Sequence, residues 1–166
     1  MREASERAVV DRIPTILDER LAVVGRREPL SVPPGATLAE CLELIRRSGV
    51  GDSVLVVAAD GRLAGVLTER DIFGRLVGSG VDLDRPVDEL MTTDAHTLGL
   101  DQTVRDAMDL MRTGRYRNVP LIEADGRVAG VVRQQDLLSY VAESFPEELL
   151  NLPPRPHQTL EETEGA

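Results

Sequence analysis

Two stretches of the chain repeat one order of apolar and polar positions. Residues 54–67 read VLVVAADGRLAGVL, and residues 119–132 read VPLIEADGRVAGVV. In both, apolar runs flank an Asp-Gly pair, which favours a hairpin because glycine accepts the positive φ of a tight turn. Each stretch is therefore predicted to form two antiparallel strands, and the chain is predicted to be an internal duplication.

A helix is predicted before each pair of strands. Glu40 lies three residues after Thr37, and Asp106 lies three residues after Thr103. This spacing is typical of a capping box or a close variant. Apolar residues then recur at i, i+3, i+4 and i+7, which predicts one buried stripe on each helix. The stripes are Leu38, Cys41, Leu42 and Ile45 in the first copy and Val104, Ala107, Met108 and Met111 in the second.

Each copy ends in a short predicted helix, ERDIFGRLV or QQDLLSYV. The order in each copy is thus strand, helix, strand, strand, helix, and we predict an α+β fold. Because units of about 60 residues are marginal alone, the two should share a buried face. The predicted segments are a lead-in helix broken at Pro14 with an extended LAVVG (1–27), the first unit (28–82), a linker with a helical piece around 87–91 (83–93), the second unit (94–142), and a C-terminal segment that is mostly a flexible tail (143–166).

The composition of the chain disfavours two classes of binding partner, nucleic acids and membranes. The formal charge of −10 and the aromatic content of 2% disfavour a nucleic-acid surface. No apolar run approaches the roughly 20 residues of a membrane span, and the N-terminus lacks a secretory apolar centre, so we expect a cytoplasmic protein without a membrane partner. The single Cys41 is expected to be buried and inert, and His96 and His157 lack the clustering of a transition-metal site.

Four motifs carry a family resemblance: GVLTERDIF, PVDELMTTDAHTL, RNVPLIEADGRVAGVV and QQDLL. In this order the chain resembles a tandem pair of cystathionine-β-synthase-type (CBS) domains over roughly residues 28–142. The resemblance implies two β-α-β-β-α units packed as one pseudo-two-fold module. It also implies clefts that bind adenosine nucleotides or related ligands, and pairing of two modules into a homodimer.

Thr68 and Asp71 are the leading candidates for a ligand site. A carboxylate can accept hydrogen bonds from both ribose hydroxyls, and a hydroxyl at a strand-to-helix junction can hold a phosphate oxygen. The resemblance assigns the ribose to Asp71 and the phosphate to Thr68. Simple helix capping by Thr-x-x-Asp is the alternative.

The resemblance suggests further site residues. Arg117 would reach the phosphates, with Asn118 and Arg115 behind it, while His96 and Thr97 would border the base. Arg70 would add charge, unless it is solvated or ion-paired. Asp136 could accept a second ribose, but Arg133 replaces the hydroxyl of Thr68 there, so we expect one good site per chain.

We therefore predict a regulatory, non-catalytic module that binds AMP, ADP or ATP, or S-adenosylmethionine, and acts on an unidentified regulated protein. The pattern does not decide among these ligands or whether Mg²⁺ accompanies them. The alternative is a ligand-free scaffold for dimerisation or protein interaction. Catalysis is disfavoured, because no Ser, Cys or Lys lies in a recognisable activating motif.

Overall fold

A computed structural model describes residues 16–24, 26–49, 53–76 and 82–144. The predicted lead-in helix before Pro14, the tail from Pro153 and His157 lie outside these residues. The elements are α1 (Leu21–Val24), β1 (Ser31–Val32), α2 (Leu38–Ser48), β2 (Ser53–Val57), β3 (Leu63–Thr68), α3 (Glu69–Leu76), a 3-10 turn (Val87–Glu89), β4 (Leu98–Gly99), α4 (Val104–Gly114), β5 (Asn118–Ile122), β6 (Val128–Arg133) and α5 (Gln134–Ser144).

The strands form two three-stranded sheets with the same topology. The order is β1-β2-β3 in the first copy and β4-β5-β6 in the second. In each sheet the short first strand runs parallel to the middle strand, and the hairpin strands are antiparallel. The predicted α+β fold and its duplication are therefore confirmed. No described helix has the length and apolar character needed to cross a membrane.

Capping boxes start α2 and α4, as predicted. The Glu40 amide donates to Thr37 Oγ1 at 3.2 Å, and the Thr37 amide donates to Glu40 Oε2 at 2.7 Å. Thr103 and Asp106 form the same pair of bonds. The stripe of α2 faces the core, and burial raises the pKa of the Cys41 thiol to about 11. This thiol is therefore protonated at neutral pH, in agreement with the predicted inert cysteine.

The segment before each repeat packs on the other repeat. Leu21 is 1% exposed within the core of the second repeat, whereas Val87 and Leu90 belong to the core of the first. The Leu21 amide donates to the Gln102 carbonyl at 2.8 Å, and the Val87 amide donates to the Ala36 carbonyl at 2.7 Å. The two repeats are thus linked by exchanged segments as well as by side-chain packing.

The expectation of an extended LAVVG segment is wrong, because Leu21–Val24 form one turn of helix. Leu21 is buried and Val24 is half-buried, while Ala22 and Val23 are exposed. This spacing places the two inward residues on one helical face, where they pack on the second core. Tertiary packing therefore overrides the strand preference of the paired valines.

Equivalent residues of the two repeats meet each other around a pseudo-two-fold axis. Asn118 Nδ2 donates to Ser53 Oγ at 3.1 Å. At the hairpin turns, Arg62 and Arg127 form an isolated antiparallel bridge. These contacts bring the ends of both hairpins together, so the cleft walls described below come from both repeats.

Candidate functional site

One cleft lies where the first repeat, the segment before β4 and the start of β5 converge. Its volume is about 380 Å³, within the roughly 300–1,000 Å³ typical of small-molecule sites. The lining residues are Ser53, Val66, Thr68, Glu69, Arg70, Asp71 and Phe73 from the first repeat, Thr92, Asp94, Ala95 and His96 from the segment before β4, and Arg115, Tyr116, Arg117, Asn118 and Pro120 from the second repeat.

Thr68 and Asp71 form a capping box at the junction of β3 and α3. Thr68 Oγ1 donates to Asp71 Oδ2 at 2.6 Å, and the Thr68 amide donates to the same oxygen at 2.9 Å. The Asp71 amide donates back to Thr68 Oγ1 at 3.3 Å. The capping alternative is therefore realised, but among the described residues no hydrogen bond reaches Asp71 Oδ1. Asp71 is half-buried and lines the cleft, so this second carboxylate oxygen remains available to a hydroxyl there.

Backbone hydrogen bonds hold the segment before β4 against β3. The Val66 amide donates to the Thr92 carbonyl at 3.0 Å, and the Thr92 amide donates to the Val66 carbonyl at 2.8 Å. This approach requires Gly65, because a Cβ there would lie 3.1 Å from the Thr92 oxygen and 2.6 Å from Met91 Sδ. The pairing positions Asp94, Ala95 and His96 along the cleft.

The part of the cleft wall that comes from the second repeat is held in place by hydrogen bonds at the start of β5. The Arg117 carbonyl accepts from the Gln134 amide at 2.8 Å, while Asn118 contacts Ser53 across the pseudo-axis. Tyr116 meets His96 edge to face, with ring centroids 5.6 Å apart. A Cβ at Gly114 would lie 1.9 Å from Tyr116 Cε2, so glycine makes room for this aromatic side chain. Two aromatic residues, Phe73 and Tyr116, thus line the cleft of a chain that is 2% aromatic.

Two of the three arginines that line the cleft differ from most of the other arginines that the structure describes. Arg70 and Arg115 are exposed, and neither forms an ion pair within the described ranges, whereas nine other arginines do. The solvated alternative for Arg70 therefore fits the structure, and the ion-paired one does not. The exposed guanidinium groups of Arg70 and Arg115 line the same cleft as Asp71, a combination suited to a ligand that has both hydroxyls and an anionic group.

Asp136 lies outside this cleft and has a different partner. Its Oδ1 accepts from Arg27 Nε at 2.8 Å, and its side chain is only 13% exposed. Arg27 reaches it because its amide and carbonyl pair with Val131 at 3.1 and 3.0 Å, just as Thr92 pairs with Val66. The carboxylate of Asp136, which is equivalent to that of Asp71, is therefore already paired with the guanidinium of Arg27. The other oxygen, Oδ2, is buried without a hydrogen bond among the described residues.

The structure gathers most of the predicted site residues into one cleft: Thr68, Arg70, Asp71, His96, Arg117 and Asn118. Thr97 does not line the cleft; it is half-buried and directly precedes β4. Thr92 and Asp94 were missed, although their position just before the second repeat, next to His96, was an available signal. Phe73 was also missed, although it lies two residues after Asp71 on the same helix.

In the described part of the chain, no group of three or more His, Cys, Asp or Glu side chains is arranged to hold a metal ion. The acidic residues of the cleft are Glu69, Asp71 and Asp94. Asp71 is already committed through one oxygen to the cap of α3.

Comparison with known proteins places the duplication in a family. The CBS domain profile matches residues 20–78 and 87–143. An uncharacterized 17.7 kDa protein of Acidianus ambivalens is 35% identical over 106 residues, which are 64% of this chain and 63% of that protein. The CBS domain-containing protein YhcV of Bacillus subtilis is 33% identical over 107 residues, covering 64% of this chain and 74% of the relative.

Solved structures share the fold. A CBS domain protein of Pyrobaculum aerophilum complexed with AMP has a TM-score of 0.66 and 28% identity, over 75% of this chain and 97% of its own. The cytosolic domain of the Mg²⁺ channel MgtE in complex with ATP has a TM-score of 0.58 and 27% identity, over 67% of this chain and 44% of its own. The matched repeats, their sheet topology and these neighbours agree, and the chain belongs to the CBS domain family, with two CBS domains in tandem.

Proposed function

We propose that the chain is a non-catalytic regulatory module that binds one adenosine nucleotide in the cleft between its CBS domains. The observation that carries this proposal is that Asp71 of the first repeat and Arg117 of the second line the same cleft. The complexes of the related proteins with AMP and with ATP support an adenosine ligand. Such a module would act in the cytoplasm on a regulated protein whose chemistry the cleft does not define.

The geometry suggests how a ligand would be held. Asp71 Oδ1 would accept from the ribose, and Arg117 would form a charge-assisted hydrogen bond with phosphate. The Thr68 hydroxyl now donates to Asp71, so it would need to rotate before it donated to a phosphate oxygen. Because the two contacts come from different repeats, the ligand would favour the conformation in which the repeats are closed around it.

We expect AMP to raise the thermal stability of the protein more than adenosine does. At 100 times its dissociation constant, a ligand of the folded state adds about 2.7 kcal/mol, or roughly 5–10 °C for a chain of this size. Arg117→Ala should reduce the difference between AMP and adenosine, because the phosphate contact is lost. Differential scanning fluorimetry with AMP, ADP, ATP, S-adenosylmethionine and adenosine, with and without Mg²⁺, measures these effects.

Arg112→Ala is the matched control, since Arg112 is paired with Asp109 on the same helix and does not line the cleft. It should respond to AMP as the unmodified protein does. Absence of a thermal shift with every adenosine ligand would favour the scaffold function instead. An AMP preference that persists in Arg117→Ala would retain the module but remove Arg117 from the phosphate site.

We also propose that two chains pair through α3 and α5. Phe73 and Leu138 occupy equivalent positions on these helices and are 61% and 60% exposed. Exposed apolar groups related by a pseudo-two-fold axis suit a self-complementary contact between two copies. Light scattering should give a dimer mass at micromolar concentration, and Leu138→Glu should shift the mass toward the monomer. A monomer mass for the unmodified protein would contradict this pairing.

A further inference from the structure

Arg27 and Thr92 occupy equivalent positions next to the two repeats. The Arg27 amide donates to the Val131 carbonyl at 3.1 Å, and the Val131 amide donates to the Arg27 carbonyl at 3.0 Å. Thr92 exchanges the same two bonds with Val66. Both segments pass close to a glycine, since a Cβ at Gly130 would lie 3.0 Å from the Arg27 oxygen, much as the glycine of the first repeat faces Thr92. The two segments therefore pair with their strands in the same way but carry different side chains at this position.

The Arg27 side chain reaches the carboxylate of the second repeat. Its Nε donates to Asp136 Oδ1 at 2.8 Å, and Asp136 Oδ2 is buried without a hydrogen bond among the described residues. While this pair is formed, a ribose hydroxyl would find neither oxygen of Asp136 accessible. In the first repeat, Thr92 lines the cleft, and within the described ranges Asp71 accepts hydrogen bonds only from Thr68. The difference at this one position thus coincides with a difference in access to the two equivalent carboxylates.

We propose that the residue at this position determines whether a repeat can bind a ligand. Thr92 leaves Asp71 open to the cleft, whereas Arg27 is a built-in occupant of the second carboxylate. The inference rests on the proposed nucleotide site and extends it to the residue that sets the number of ligands per chain. The Asp136 side chain is only 13% exposed, and a charge removed from water favours a charge-assisted partner from the chain itself. The pair also joins the segment before the first repeat to the second repeat, so it supplies permanently a link that a ligand would supply reversibly.

The first test places an arginine beside the first repeat. Thr92→Arg should pair with Asp71 as Arg27 pairs with Asp136, and it should weaken AMP by about tenfold or more in calorimetry, the scale of a hydrogen bond to a charged group. Thr92→Gln, which is long but uncharged, should weaken AMP less. Thr93→Arg is the matched control, because it adds the same charge at an exposed position that does not line the cleft. It should not weaken AMP.

The second test frees the carboxylate of the second repeat. Arg133→Thr restores the missing hydroxyl but keeps Arg27, so it should bind one adenosine per chain, like the unmodified protein. Arg27→Thr added to Arg133→Thr should bind two at saturation in equilibrium dialysis, and Asp136→Ala in the same background should return the number to one. Adenosine is the probe because Asp52 precedes β2 where Arg117 precedes β5, so the sequence provides no equivalent arginine for a phosphate.

The possible outcomes separate this inference from the proposed function. One adenosine per chain in both Arg133→Thr and the double variant would overturn the inference and leave the nucleotide function intact. A double variant that binds one adenosine, beside an unmodified protein that binds neither adenosine nor AMP, would support the inference and refute the function of the first cleft. Absence of binding by both proteins would refute both proposals. If the double variant does not fold, Thr92→Arg decides alone, because AMP binding as tight as in Thr93→Arg would overturn the inference.

Discussion

We expect Leu21→Ala to destabilise the protein by about 2–5 kcal/mol, the range for truncating a buried leucine. Leu21 is 1% exposed and packs in the core of the second repeat, although it precedes the first repeat in sequence. Its amide is also tied to the Gln102 carbonyl at 2.8 Å. Urea unfolding followed by circular dichroism measures the change in the free energy of unfolding.

Val23→Ala is the matched control, because Val23 lies on the same helical turn but is 62% exposed. It should change the stability by no more than about 0.5 kcal/mol. Equal, small effects of both substitutions would contradict the packing of this segment on the second repeat. A large effect of Leu21→Ala alone would establish that residues before the first repeat belong to the cooperative unit.

Local sequence patterns were sufficient to predict the helices and strands that the two repeats share. The Asp-Gly hairpins and the capping boxes of Thr37 and Thr103 depend on contacts within a few residues, so they can be predicted directly from the local sequence. The stripe of α2 follows from helical spacing, and its buried members include Leu38 and Cys41. The gathering of Thr68 and Arg117 around one cleft was predicted through the family resemblance, because spacing alone does not specify which surfaces of two repeats meet.

The exchanged segments depend on contacts between distant parts of the chain, and local patterns could not reveal them. Arg27 belongs to the segment before the first repeat, yet it pairs with Asp136 in the second. Sequence comparison of the repeats indicated only that Arg133 replaces a hydroxyl beside Asp136. The structure adds that Arg27 of the same chain neutralises the Asp136 carboxylate. This ion pair supports one nucleotide per chain, but the residue responsible is Arg27, whereas the sequence had indicated Arg133.

The Thr68–Asp71 pair combines two roles that seemed to be alternatives. A capping box needs one carboxylate oxygen to accept from the Thr68 amide and hydroxyl, and Asp71 Oδ2 fulfils this need. Ribose recognition needs an acceptor that faces the cleft, and Oδ1 remains for it. The cap therefore fixes the rotamer of the carboxylate before any ligand arrives, which reduces the entropy lost on binding. Helix capping and ligand binding are thus compatible at this junction.

We expect Asp71→Ala to weaken nucleotide binding by about 1.5–3 kcal/mol, the scale of hydrogen bonds to a charged group. The same substitution removes the carboxylate half of the capping box of α3 and should cost about 1 kcal/mol of stability. Calorimetric titration with AMP measures the first effect, and urea unfolding measures the second. The unmodified protein should bind one AMP per chain.

Three variants separate the two roles of Asp71. Asp106→Ala removes the carboxylate of a similar capping box, at the start of α4 and outside the cleft, so it should lose stability but bind AMP normally. Asp71→Asn keeps an oxygen for the cap but loses the charge, so it should be stable and bind weakly. Asp136→Ala should leave AMP binding nearly unchanged, because Arg27 already occupies that carboxylate. Equal losses of affinity in Asp71→Ala and Asp136→Ala would refute the assignment of the ligand to the cleft of the first repeat, since both carboxylates would then contribute alike.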